Sequence, residues 1–156
     1  MRVRQYAYFG IKSERWSPDE ITEVAGIEPN ESTVKGSRPN PAARLLPVSH
    51  LWKLTSGVSA ESDLEPHFAA LMPRLRGHEN GLREVIRQPG VWAALVIVRY
   101  FEEGEEEFDE ATFGIPEGSG IQRLSGQHPF LGWSLDAHAV QLLASIGAAI
   151  DVDEYG

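Results

Sequence analysis

The sequence predicts an α+β fold: a mixed or mostly antiparallel sheet of about five strands, helices packed mainly on one face, and split βαβ connections of ferredoxin-like character. Three observations lead there. Apolar residues recur at every second position in "QYAYFGI" (5–11), "HLWKLTS" (50–56) and "AAIDVDEY" (148–155), the period of a half-buried strand. After Ser17, Ser62 and Ser134 they recur at three- and four-residue intervals, the period of a helix with one greasy side. The two patterns alternate along the chain, so one-sided helices need a sheet to cover.

In the first strand Ala7, Phe9 and Ile11 share one face and Tyr6 and Tyr8 the other. "SPDEITEVAGIEP" (17–29) then carries every start and stop signal of a short helix. Ser17 caps it, Pro18 sits where a missing N–H costs nothing, and Glu20 completes a capping box. Ile21 and Val24 form its apolar face, Trp16 can staple onto Ile21, and Gly26 and Pro29 end it. Such a cap contributes about 1 kcal/mol, so these signals are explained by the fold without a ligand. The proline-rich stretch "STVKGSRPNPAARLLPV" (32–48) reads as a long loop carrying Lys35, Arg38 and Arg44, a basic cluster in an acidic protein.

The strand at 50–56 places Trp52 and Leu54 together, with Lys53 and Thr55 opposite. Leu64, Phe68, Leu71, Met72 and Leu75 mark a helix capped by Ser62 or Asp63, which Pro73 should kink or end. Gly77 separates it from a shorter helix bearing Leu82, Val85 and Ile86. "VWAALVIVRYF" (91–101) is apolar on both faces and reads as a central strand. "EEGEE", turning at Gly104, and "FDEATFGI" (108–115) suggest a returning strand, followed by a Gly/Pro/Ser-rich loop. Ser134 is the expected cap of a helix lined by Ala139, Leu142, Leu143 and Ile146 and stopped at Gly147. In the last strand Ile150 and Val152 are expected to point inward, with Asp151, Asp153 and Tyr155 on the opposite face.

The whole-chain totals bound the function. The 156 residues suit one globular domain, which at this length buries roughly 68–70% of its unfolded surface. Cysteine is absent, which excludes disulfides, thiolate zinc sites and cysteine nucleophiles and fits a reducing cytoplasm. No secretory signal is expected in "MRVRQYAYFGIKSERW", and "VWAALVIV" falls far short of the ~20 residues of a membrane span, so no membrane association is expected. The net charge of −9 opposes phosphate backbones, which argues against nucleic acid and suits a basic protein partner.

Four ordered segments, "SPDEITEVAGIEP", the "KG" at 35–36, "LWKLTS" and "SLDAHAVQLLASIGAAIDVDEYG", resemble those of the bacterial family of domain of unknown function 4279. The resemblance implies a small bacterial cytoplasmic protein. No catalytic residue can be carried over from it.

Chemical motifs each meet a sufficient structural explanation. Asp151 and Asp153, two apart on one strand face and about 6.6 Å from each other along the backbone, have the spacing of an acid/base pair, but also that of charges guarding a sheet edge. The acidic run at 102–110 lacks the ligand spacing of an EF-hand and fits a solvated turn. The histidines at 50, 67, 78, 128 and 138 show no metal-ligand spacing, and no G-x-S-x-G or phosphate-loop frame is present. No catalytic residue, metal or cofactor is therefore expected. Two readings follow. The first is a non-enzymatic protein-binding module of regulatory or immunity-like kind, in which homo-oligomers are also allowed. The second is an enzyme or a small-molecule or anion-binding domain using Lys35, Arg38 and Arg44 on the basic loop beside Trp52.

Overall fold

A computed structural model describes residues 2–38, 41, 42, 44–102 and 132–156. The alternation at the N-terminus extends further than its apolar centre: β1 spans Arg2–Ser13 and becomes the middle of the sheet. α1 (Pro18–Ala25) follows with its capping box formed, and the backbone amide of Ser17, then its hydroxyl, hold the Glu20 carboxyl below the usual carboxylate range. Gly26 takes a left-handed conformation at φ 70°, where a side chain would be strained.

β2 (Glu31–Thr33) was not legible in the sequence. It opens the stretch read as loop, and its three residues are too few to show a period. It pairs with β3 (His50–Thr55), which pairs with β1, while β4 (Val91–Glu102) pairs along the whole of β1 on the other side. These pairings are antiparallel. β5 (Ala149–Tyr155) adds to β4 in parallel, giving a mixed five-stranded sheet in the order β2-β3-β1-β4-β5.

β3 and β4 both oppose β1 and so run parallel to each other with β1 between them. They are linked through α2 (Leu64–Leu75) and α3 (Glu79–Ile86), which is a split βαβ unit, as the element order predicts. The returning strand expected at 108–115, the turn at Gly104 and the loop after it lie outside the described residues. β4 is flanked by β1 and β5.

α4 (Ala137–Ile146) completes the helical layer. Its cap is Asp136, not Ser134: the Asp136 carboxylate accepts the Ala139 amide at 2.7 Å, so the helix starts two residues later than the serine suggests. Pro73 neither ends nor interrupts α2, which continues to Leu75. Ala69, whose carbonyl loses its amide partner, lies on the exposed side of the helix, where water can replace it.

The four described helices cover one face of the sheet. Phe9, Ile11, Trp52, Leu54, Leu95 and Ile97 from the strands meet Ile21, Leu71, Leu75, Leu82, Leu143 and Ile146 from the helices in one core, and Trp16 packs half-buried against it. Each such side chain contributes about 1.5–3 kcal/mol on burial. On the opposite face Ala94, Val96 and Val98 form a second buried cluster with Tyr8 and Tyr100, so β4 is covered on both sides as its unbroken apolar run predicts.

One prediction is overturned. Ile150 and Val152 are 42% and 39% exposed. They do lie on the helical side, in register with Leu95 and Ile97, but β5 is an edge strand beyond the cover of the helices.

Candidate functional site

The face of the sheet opposite the helices is where polar and aromatic groups gather. Strand alternation puts Arg4, Tyr6, Tyr8 and Lys12 of β1 there, and the registers bring Lys53 and Thr55 of β3, Val96, Val98 and Tyr100 of β4, and Asp151, Asp153 and Tyr155 of β5 to the same side. All four tyrosines of the chain therefore share one face. They stand as two stacked pairs, Tyr6 with Tyr8 at 6.4 Å between ring centroids and Tyr100 with Tyr155 at 5.0 Å.

Cations sit over these rings. The Lys53 ammonium lies 4.5 Å from the Tyr8 centroid and 3.9 Å from the Glu31 carboxylate, and the Arg4 guanidinium lies 5.6 Å from the Tyr100 centroid. Val96 stands between Tyr8 and Asp151, and Val98 between Tyr6 and Asp153. Burial pushes the Tyr8 hydroxyl pKa up, and the charges of Asp153 and Asp151 add to it. Tyr6 is raised too, by burial and then by a hydrogen bond with Tyr100. Both phenols stay neutral donors at physiological pH.

Two adjoining hollows open beside Tyr6. One of about 450 Å³ runs from Tyr8, Lys53 and Glu31 to the 56–60 segment; the other, of about 320 Å³, lies between Tyr6, Arg4, Tyr100 and Glu61. The 57–62 segment is anchored where the Gln5 amide donates to the Ala60 carbonyl at 2.7 Å. The result is an amphipathic groove whose hydroxyls, charges and rings can grip a polypeptide or a small polar molecule.

Ser56, on the wall of the larger hollow, is 2.6 Å from Nδ1 of the fully buried His67. Burial lowers the pKa of His67, with the Ser59 carbonyl opposing in part, so the ring that shares this hydrogen bond is neutral. A serine–histidine dyad is thereby formed in outline. Among the described residues, however, its Nε2 has no hydrogen-bond partner of good geometry, and none supplies a carboxylate there to stabilise an imidazolium, the species that nucleophilic catalysis by serine must create. The pair is better explained as a polar tie between the end of β3 and α2.

Trp52 does not share an exposed site with the basic residues singled out from the sequence. Lys35, Arg38 and Arg44 are exposed on the loop after β2, where the Lys35 amide donates to Nδ1 of His50 at 3.1 Å. Trp52 is wholly enclosed on the helical side, its indole Nε1 donating to Thr22 Oγ1 at 3.0 Å. Asp151 and Asp153 do share the tyrosine face, but neither lines the two hollows. The sequence alone does not mark Tyr6, Tyr8, Tyr100 and Tyr155 as site residues. The signal was present in the strand alternation of Tyr6, Tyr8 and Tyr155, but the neighbourhood of the two ends of the chain was not. Among the described residues no group of three metal-ligating side chains comes together, and no helix is long and apolar enough to cross a membrane.

Residues 3–117, well over half of the chain, match the family described as Domain of unknown function (DUF4279). The chain belongs to the DUF4279 family. No curated protein and no solved structure matches it. The DUF4279 match takes in β1 through β4, with Tyr6, Tyr8, Lys53 and Tyr100, and stops before α4 and β5. The terminal segment that contributed to the resemblance, with Asp151, Asp153 and Tyr155, thus lies outside the matched span.

Proposed function

We propose that this DUF4279 chain is a non-enzymatic protein-binding module whose docking face is the tyrosine-bearing side of the sheet, opposite the four described helices. The observation that carries the reading is the collection of all four tyrosines on that face, as two stacked pairs rimmed by Lys53, Arg4, Asp151 and Asp153. Tyrosine supplies large contact area with only two side-chain torsions to freeze and a hydroxyl that tolerates water, which is why it concentrates at the centres of protein interfaces. The acidic excess of the chain favours a partner with basic groups, and the absence of cysteine fits a reducing cytoplasmic setting.

The experiment is affinity capture from the native host, followed by titration of any recovered protein against purified chain. Tyr6→Ser and Tyr155→Ser test the face, and Val140→Ser on the exposed side of α4 is the control. The tyrosine variants should weaken binding by about tenfold or more while the control leaves it unchanged. A partner whose affinity ignores both tyrosines, or no partner with measurable binary affinity, would remove the basis of this reading.

A further inference from the structure

The outer edge of β5 is the longest unpaired strand edge among the described residues: the opposite edge, β2, is three residues long, whereas β5 has seven. Its two faces differ sharply. On the helical side Ile150 and Val152 remain over one-third exposed. On the tyrosine side stand Asp151 and Asp153, while Glu154, on the helical side, is paired with Arg99 of β4.

We propose that this edge accepts an extended segment of a protein partner as a sixth strand, one in which basic residues alternate with aliphatic ones. A segment added to β5 places every second side chain against Ile150 and Val152, where apolar groups remove the exposed surface from water. The intervening side chains face Asp151 and Asp153, where lysine or arginine forms cross-strand pairs. Main-chain hydrogen bonds to the open edge supply the remainder. A second copy of the chain does not fit. An antiparallel β5–β5 pairing that keeps apolar residues on the same face sets an aspartate opposite an aspartate in every register overlapping most of the strand, and like charges so placed repel. The carboxylates thus discourage self-association and select a basic guest.

This inference rests on the protein-binding reading and narrows it to one edge and one partner chemistry. The probe is a synthetic ten-residue peptide of alternating lysine and valine, compared with its glutamate–valine counterpart by fluorescence anisotropy and by hydrogen exchange across 149–155. The basic peptide should bind, slow exchange of the outward β5 amides, and lose about tenfold in affinity on combined Asp151→Asn and Asp153→Asn substitution, while the acidic peptide fails to bind. Binding that leaves β5 exchange unchanged, or that survives both substitutions, overturns the proposal. So does slow exchange of every β5 amide in the free chain, which means the edge is already covered, or a dimer in sedimentation that dissociates when β5 is altered. If a natural partner is lost on Tyr6→Ser yet retained by the aspartate variants, the edge proposal fails while the tyrosine face stands.

Discussion

Arg99 of β4 donates from Nη1 to Glu154 of β5 at 2.8 Å, although Arg99 is almost wholly buried and Glu154 is half exposed. The same guanidinium donates from Nε to Gln5 Oε1 at 3.2 Å, and Gln5 in turn donates to the Ser62 carbonyl. One polar chain therefore runs from the segment after β3, across β1 and β4, to the edge strand. Glu154→Gln removes a carboxylate paired with a buried cation. With Glu154 open to solvent on one side, the expected loss is about 1 kcal/mol in urea unfolding, with faster amide exchange in β5 than elsewhere. Uniform exchange changes across the sheet would mean that this contact does not hold the edge.

Gly81 in α3 packs so tightly on α1 that a Cβ at this position would run into the Val24 carbonyl oxygen. Alanine is the better helix former by about 1 kcal/mol, so on propensity alone Gly81→Ala should stabilise. We expect the opposite, a net loss of roughly 1–2 kcal/mol, because the clash is with backbone and the two helices must separate. A thermal midpoint equal to or above that of the parent would show that α1 and α3 can part freely.

His67 gives the stability a pH dependence of fixed sign. Burial depresses its pKa in the folded chain below the ordinary 6.5. Above 6.5 both folded and unfolded chains hold the ring neutral. As pH falls below that value the unfolded chain takes up the proton first, so stability is lost down to the folded pKa. His67→Leu should therefore flatten the decline in melting temperature between about pH 7 and pH 5 relative to the parent. Parallel pH profiles for the two proteins would contradict the assignment of a neutral buried imidazole.

The tyrosine face should be visible in alkaline titration. With burial and the carboxylates of Asp153 and Asp151 raising Tyr8, and burial and Tyr100 raising Tyr6, tyrosinate absorbance should develop above the ordinary value of 10. Because these pKa values are raised on folding, the associated stability is complete below about pH 10 and disappears as pH climbs through the folded values. Asp151→Asn together with Asp153→Asn should bring the Tyr8 step downward. An unchanged titration curve would place those carboxylates too far from Tyr8 to matter.

Local order was written plainly in the chain. Ser17, Pro18, Glu20 and Gly26 define α1 without reference to anything else, because capping involves groups within one or two turns. The unbroken apolar run of β4 announced a strand buried on both faces, and the element order implied the split βαβ unit. Where the chain offers equivalent signals two residues apart, local pattern leaves the boundary open: Ser134 and Asp136 are both competent caps, and in the fold it is Asp136 that accepts the Ala139 amide. What only tertiary structure decided was adjacency. Tyr6 and Tyr155 belong to opposite ends of the chain, and nothing in either segment fixes that β4 lies between them or that β5 joins it in parallel. The same adjacency leaves Ile150 and Val152 at an uncovered rim and encloses Trp52 away from the basic loop. Strand alternation determines which residues share a face, but strand order determines which face is closed, and that order follows from how long connections and helix packing close the sheet.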